Sequence, residues 1–280
     1  MRALVDRVGF RVSLCLGKLL RSARYSSARL VSGDGELQVR KHRLFYAPLL
    51  VWMGGALVRI LDTGVRVLPQ RDWEEREREL YRSFGRPLIR IDDDGTLVLP
   101  CLPGATLATL LDDPELEEAL RKSAIERAVV ALADFHRRGF THGDAMAENV
   151  LVDFEAGIAH WFDFETVHDS TRPIAWRRAD DVRALLVTCL LRTAPEKRAG
   201  ILQLILDVYA DDEVVRVLAT NFTSVLWRPL AFHLGQAPLS YEAFREIGRL
   251  LKGRVGQNPA GAMCVPAANE RRINEKVSGD

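Results

Sequence analysis

Between His142 and Glu165 the sequence sets chemistry and structure in a fixed order. His142-Gly143-Asp144 comes first, Asn149 follows, and Asp163-Phe164-Glu165 closes the block. Between them lie two short apolar runs, 150–152 and 158–162, separated by a turn-length stretch. Two such strands joined so closely fold into a hairpin, which carries Asp163 back beside Asn149. The plainer reading, acids and amides in ordinary turns, leaves the agreement of order and spacing unexplained.

Upstream, the pattern is strands, one helix, then strands. Residues 28–31 and 36–42 flank Ser-Gly-Asp-Gly, strong turn chemistry for a hairpin. Period two puts Lys41 on the face of Leu37 and Val39, where a lysine either has a task or snorkels to solvent. The stretch 44–61 is the most hydrophobic of the chain, but Pro48, Gly54, Gly55 and Arg59 interrupt it. It reads as a packed or interfacial helix, too short and too broken for a bilayer span. Residues 70–84 predict a charged helix whose stripe is Trp73, Glu77, Leu80, Tyr81 and Phe84. Strands at 88–91 and 96–99 follow, joined by Asp-Asp-Asp-Gly, and Pro-Cys-Leu-Pro-Gly at 100–104 forms a stiff linker.

After the linker the chain turns helical, with helices predicted at 114–138, 179–191, 195–209, 213–232 and 241–251. Gly139 ends the first of these, and Ser240 caps the last. The expected organisation is a basic segment at 1–27, a β-rich part at 28–99 containing the hydrophobic insertion 44–61, a hinge at 100–104, a helical part at 105–251 and a mobile tail at 252–280. The 280 residues are 48% apolar and 28% charged with a net charge of +1, which gives no global pull toward nucleic acid. Cys15, Cys101, Cys189 and Cys264 are too scattered to signal a zinc site or a disulfide framework, and a reducing compartment is the default. Arg7, Arg11 and Lys18 break the N-terminal apolar residues, so the start does not read as a signal peptide.

His-x-Asp, an Asn five residues after the Asp, and a later Asp-Phe together resemble the catalytic and metal loops of the protein-kinase-like superfamily. Gly143 makes the first motif more similar to lipopolysaccharide-core sugar kinases and aminoglycoside phosphotransferases than to typical protein kinases. The resemblance implies an α+β, two-lobed fold and an ATP- and magnesium-dependent kinase. By resemblance Asp144 orients and deprotonates the acceptor hydroxyl, and Asn149 and Asp163 hold magnesium. Lys41 matches the lysine that grips the nucleotide phosphates, and Glu77 the helix glutamate that pairs with it. The linker matches the adenine-binding hinge, where Pro100 has no N–H and the donor comes from Cys101 or Leu102. Asp181 matches the aspartate that braces the catalytic loop; the competing reading makes Asp180 and Asp181 ordinary acids of a first helical turn. His142 is expected to be structural. Glu165 stands where many kinases have Gly, and is either a further metal ligand or solvated.

The chain departs from the pattern in two places. No glycine-rich phosphate loop precedes Lys41, so the flap would fall to Ser22, Ser26 or Ser27. The segment from Asp163 to Asp181 is short and carries Arg172, Arg177 and Arg178, suited to an anionic substrate or simply a solvated basic turn. The resemblance implies a small-molecule or glycolipid acceptor, with a lipopolysaccharide-core sugar favoured. A protein serine/threonine kinase and a pseudokinase scaffold are the alternatives. The expected location is cytoplasmic, with peripheral membrane contact through residues 1–61 as a further expectation.

Overall fold

The computed structural model describes residues 26–33, 36–43, 64–87, 89–222 and 241–257. The stretches 1–25 and 44–61, on which the expected membrane contact rests, lie outside them, as do Ser22, Ser240 and the chain beyond 257. Among the described residues no helix is long and apolar enough to cross a membrane.

The first sheet has the order β1-β2-β5-β4, all pairs antiparallel. Its strands are β1 (Ser26–Gly33), β2 (Glu36–Arg43), β4 (Arg90–Ile91) and β5 (Leu97–Pro100). The register places Lys41 opposite Ala28 on one side and Leu97 on the other. Lys41 and Arg43 point inward while His42 between them is exposed, the alternation that a pleated strand imposes. Between β2 and β4 come β3 (Val65–Val67) and helix α1 (Gln70–Ser83). Helix α1 buries Trp73, Glu77, Leu80 and Tyr81 of the stripe read from the sequence, while Phe84, its fifth residue, is the C-cap and half-buried.

The helix expected over 114–138 is present but starts late, and a short helix that the sequence reading did not predict precedes it. Strand β6 (Ala105–Thr106) leads into α2 (Leu107–Asp112), where the Thr106 hydroxyl accepts from the Thr109 amide at 3.1 Å. The Asp113 carboxylate accepts the Glu115 amide at 2.9 Å, and Arg121 donates to the Leu111 and Leu116 carbonyls. This local bonding takes the place of a first helical turn, so α3 starts late (Glu118–Arg137). Strands β7 (Val150–Asp153) and β8 (Ile158–Trp161) form the expected hairpin, and β6 joins β7 to complete a second sheet. Strand β9 (Thr166–His168) pairs with β3.

Helix α4 (Ile174–Leu191) begins at the Pro173 cap, well before the expected residue 179. Asp180 and Asp181 are therefore in its second turn and buried, not first-turn acids facing water. Every residue from Ala179 to Leu190 is buried, so α4 is the central helix, wrapped by α3, α5 (Arg198–Tyr209) and α6 (Asp212–Asn221). The helix expected over 213–232 is described only to its end at Asn221. Helix α7 (Tyr241–Gln257) runs past residue 251, where the tail was expected to begin. Ile247 and Leu251 anchor it in the core, and the helix continues past them through Lys252, Arg254 and Gln257 despite the glycines at 253 and 256. The class is thus mixed helix and small antiparallel sheets, as an α+β chain requires.

Candidate active site

Lys41 of β2, Glu77 of α1, and Asp163 and Glu165 of the segment between β8 and β9 meet at one point. The Lys41 ammonium ion-pairs with Asp163, lies 2.9 Å from Glu165 Oε1 and 3.9 Å from Glu77 Oε1, and stands over the Trp73 ring. Burial by itself would lower the lysine's pKa, but Asp163, Glu165 and Glu77 outweigh it and hold the ammonium charged. Glu77 is 1% exposed, and burial raises its pKa against the pull of Lys41. Its Oε1 accepts from the Trp73 indole at 3.2 Å and the Phe164 amide at 3.3 Å. Glu165, left open by the sequence as ligand or solvated acid, is neither exposed nor idle: it accepts from Ser26 Oγ and pairs with Lys41.

The 142–149 loop is held from beneath by α4. Asp181 accepts the His142 amide at 2.7 Å through Oδ2 and the Gly143 amide at 2.8 Å through Oδ1. Thr188 Oγ1 accepts the Ala147 amide at 3.0 Å. Gly143 has φ +84°, and a Cβ there would sit 3.1 Å from Val167 backbone atoms of β9. The loop passes so close to β9 that only glycine fits without movement. Arg76 of α1 adds a bond to the Thr141 carbonyl at 2.6 Å, tying the helix of Glu77 to the start of this loop.

His142 is fully buried between Trp161 and Phe164, with ring centroids 5.3 and 5.0 Å away. Its Nε2–H donates to the Phe162 carbonyl at 3.0 Å, and Nδ1 accepts the Asp144 amide at 3.3 Å. The ring is neutral, and burial pushes its pKa down to about 4. An unfolded histidine takes a proton below about pH 6.5, so acid favours the unfolded chain. This contribution to stability is complete above pH 6.5 and lost as pH falls toward 4, roughly 3 kcal/mol at most. Asp144 and Glu77, whose pKa values burial raises, act in the opposite sense, so the contribution is read as a difference: from pH 7.5 to 4.5 the Tm of wild type should fall relative to that of His142→Gln. A difference that stays constant over that range would contradict a neutral buried His142.

Asn149 Nδ2 donates to the Asp144 carbonyl at 2.8 Å and to Asp144 Oδ2 at 3.0 Å. Among the described residues its Oδ1 has no donor, so it is left for another partner. The β7–β8 hairpin returns the chain as expected: the Phe162 amide donates to the Asn149 carbonyl at 3.0 Å. Asp163 then adopts φ +68°, a left-handed backbone rare outside glycine, which turns its carboxylate toward Lys41. Phe164, fully buried, stacks on Phe135 of α3 at 5.7 Å and anchors that turn. Burial, then the charge of Asp163, pushes the Asp144 pKa up to about 8.

At the linker, Gly104 has φ +101°, and a Cβ there would strike the Val152 carbonyl, so β7 packs directly against it. The Cys101 amide donates to the Leu37 carbonyl at 3.2 Å, continuing the β2–β5 ladder. Of the two hinge donors expected, Cys101 is therefore already engaged. Among the described residues the Leu102 amide has no acceptor.

Among the described residues the cluster sets one ammonium against three carboxylates, and Glu77 Oε2 is buried without a partner. A cation fits that imbalance. No three His, Cys, Asp or Glu side chains of the described residues form a closed metal cage. Asp163 and Asn149 are instead two hard oxygen donors, the kind of set that magnesium shares with substrate phosphates. Of the serines expected as a phosphate flap, Ser22, Ser26 or Ser27, the last two lie on β1, and Ser26 reaches the cluster through Glu165. Arg178 is engaged with the His136 carbonyl at 2.8 Å and Arg172 lies over Trp176, so neither is a plainly solvated cation. The sequence reading missed the bracing by Thr188 and Arg76. Neither residue carries a motif, and only the helix packing brings it to the loop.

No curated protein matches the chain. Residues 103–203 match the model of the lipopolysaccharide kinase (Kdo/WaaP) family. The matched stretch runs from the linker through α3, the 142–149 loop, the hairpin and α4 into α5, and so contains Asp144, Asn149, Asp163 and Asp181. The proteins of that family are kinases, phosphotransferases acting on a hydroxyl group, within the protein-kinase-like superfamily, and the likeness covers that stretch of the chain.

Proposed function

We propose that this chain is a kinase that transfers the γ-phosphate of ATP, with magnesium, to a hydroxyl of a glycolipid sugar of the lipopolysaccharide-core class. The observation that carries this reading is the meeting of Lys41, Glu77 and Asp163 beside the loop that holds Asp144 and Asn149. In this reading the chain is two-lobed, with a small lobe through residue 99, a hinge at 100–104 and a helical lobe beyond. Adenine takes the Leu102 amide, and Lys41 binds the phosphates. Asp163 and Asn149 hold magnesium, which neutralises phosphate charge during transfer. Asp144 accepts the proton of the acceptor hydroxyl, and the Asn149 amide keeps its carboxylate aimed.

The acceptor is argued from the short path out of the site. Only β9 and the 169–173 turn separate Glu165 from α4; β9 is paired with β3, and the Asp169 carboxylate closes the turn by accepting the Thr171 amide at 2.9 Å. That leaves no extended ledge for a peptide and favours a sugar hydroxyl.

Incubation with labelled ATP, magnesium and a core glycolipid should move label to the glycolipid and leave a generic protein substrate unlabelled. Label on protein alone would overturn the acceptor class. In the same assay Lys41→Met should raise the KM for ATP by about tenfold or more, since a charge-assisted phosphate contact is lost. It should also lower Tm, because three carboxylates lose their ammonium. An unchanged KM would remove Lys41 from phosphate binding.

A further inference from the structure

We propose that Arg192, at the end of α4, is a positioning residue for Asn149: its ion pair with Glu148, steadied from α2 by Asp112, fixes the turn that presents the Asn149 side chain. That turn is a single 3-10 helix, Ala147–Asn149, and one such turn has too few and too poorly aligned backbone bonds to hold its own orientation. Its two ends are tied through the backbone. The Ala147 amide donates to Thr188 Oγ1 at 3.0 Å, and the Asn149 carbonyl accepts the Phe162 amide at 3.0 Å. Glu148 lies between those ties, and Arg192 holds it: Nη2 donates to Glu148 Oε1 at 2.7 Å.

The guanidinium of Arg192 sends a bond to each of three elements. Besides Glu148, Nε donates to Asp112 Oδ2 at 3.2 Å at the end of α2, and Nη1 donates to the Thr188 carbonyl at 3.0 Å within α4. A guanidinium is planar and rigid, so fixing two of its arms aims the third. Thr188 and Arg192 stand one helical turn apart, and together they grip two successive residues of the loop, Ala147 and Glu148.

Burial separates this clasp from an ordinary surface ion pair. The Arg192 side chain is 14% exposed and that of Glu148 27%, whereas Asp112 is 62% exposed. Water screens the arm to Asp112, which restricts where the guanidinium lies more than it stabilises the fold. The arm to Glu148 is a short charge-assisted bond, partly out of water, and is the stronger. Burial alone would lower the pKa of Arg192, but Glu148 and then Asp112 outweigh it and keep the guanidinium charged. An arginine that only capped α4 would be satisfied by the Thr188 carbonyl and the helix dipole. That role does not require Glu148.

Asn149 Nδ2 is bonded to the Asp144 carbonyl and carboxylate, both in its own loop. Those bonds fix the carboxamide relative to the loop, and the clasp fixes the loop relative to α4 and α2. Partners one step removed from a metal ligand change metal affinity without touching the metal. The inference rests on the reading of Asn149 as a magnesium ligand.

The test compares wild type, Arg192→Met, Arg192→Lys, Glu148→Gln, the double variant Arg192→Met/Glu148→Gln, and Asn149→Ala. Three quantities are read: the magnesium concentration for half-maximal ATP turnover, the KM for ATP at saturating magnesium, and amide exchange by NMR without metal. Arg192→Met should raise the magnesium requirement about tenfold and leave KM for ATP within about twofold. It should speed exchange of the 147–149 backbone amides by about tenfold or more, while the amides inside α4 stay protected. Arg192→Lys keeps the charge but not the fork, and should fall between wild type and Arg192→Met. Glu148→Gln should shift the magnesium requirement in the same direction. The double variant should be no worse than Arg192→Met, because both changes act through one pair. If Asn149→Ala raises the magnesium requirement and neither Arg192→Met nor Glu148→Gln does, the proposal is overturned, whatever happens to Tm. Additive losses in the double variant would overturn it too. If Arg192→Met does not fold, Arg192→Lys and Glu148→Gln decide. If Asn149→Ala leaves the magnesium requirement unchanged, the reading of Asn149 fails, and exchange at 147–149 decides the clasp: wild-type exchange in Arg192→Met would sink it.

Discussion

Asp163→Ala is expected to lower magnesium-dependent ATP turnover by about 10³-fold or more, equivalent to roughly 4 kcal/mol of transition-state stabilisation. The carboxylate is the strongest hard ligand the cluster offers, and the hairpin spends a left-handed residue to aim it. Alanine at φ +68° costs about 1–2 kcal/mol of its own, so a loss in that variant mixes charge with backbone strain. Asp163→Asn separates them. Asparagine tolerates the left-handed region, keeps the shape and removes only the charge. It also relieves the excess of carboxylates around Lys41, so its Tm should match or exceed wild type. A folded Asp163→Asn with no magnesium-dependent turnover places the loss in the ligand charge. Turnover near wild type in both variants would remove Asp163 from the metal role.

What the sequence made legible follows the range over which each signal acts. The β1–β2 hairpin, the stripe of α1 and the β7–β8 hairpin are local patterns of period or turn chemistry, and all three are present. The errors lie where local signals compete. Proline at 114 suggested a helix start, but Asp113 and Arg121 bond that stretch into a turn. The acidic pair at 180 and 181 suggested a helix start too, yet both carboxylates answer partners brought by tertiary packing: His168 and Arg183 for Asp180, loop amides and His136 for Asp181. Strands β3, β6 and β9 are two or three residues long and leave no periodicity to read.

The site divides in the same way. The block from 142 to 165 was legible because chemistry and hairpin share one short stretch. Glu165 was not, since its partners Ser26 and Lys41 lie far upstream and no local pattern distinguishes a paired glutamate from a solvated one. Cys101 and Leu102 were indistinguishable by sequence, because the length of the β2–β5 ladder decides which amide remains. Thr188, Arg76 and Arg192 act on the loop only once α1, α2 and α4 have packed.

Asp144→Asn is the sharper test of mechanism, because it leaves the architecture almost untouched. Asparagine has the same shape, its carbonyl oxygen can still accept from Asn149 Nδ2, and the backbone bonds of residue 144 to His142 Nδ1 and Met146 do not involve the side chain. What it cannot do is accept a proton. Loss of a positioned general base costs about 10²- to 10⁴-fold, so kcat for acceptor phosphorylation should fall by that factor while KM for ATP stays within about twofold. Burying a neutral amide in place of a carboxylate whose pKa is already pushed up to about 8 should also leave Tm equal or higher. ATP binding, followed by titration calorimetry with magnesium present, should be retained. Retained binding with lost transfer assigns Asp144 to the acceptor proton. Full turnover in a folded Asp144→Asn would move the base elsewhere in the site, and Glu165, one of the three carboxylates around Lys41, would be the next to replace.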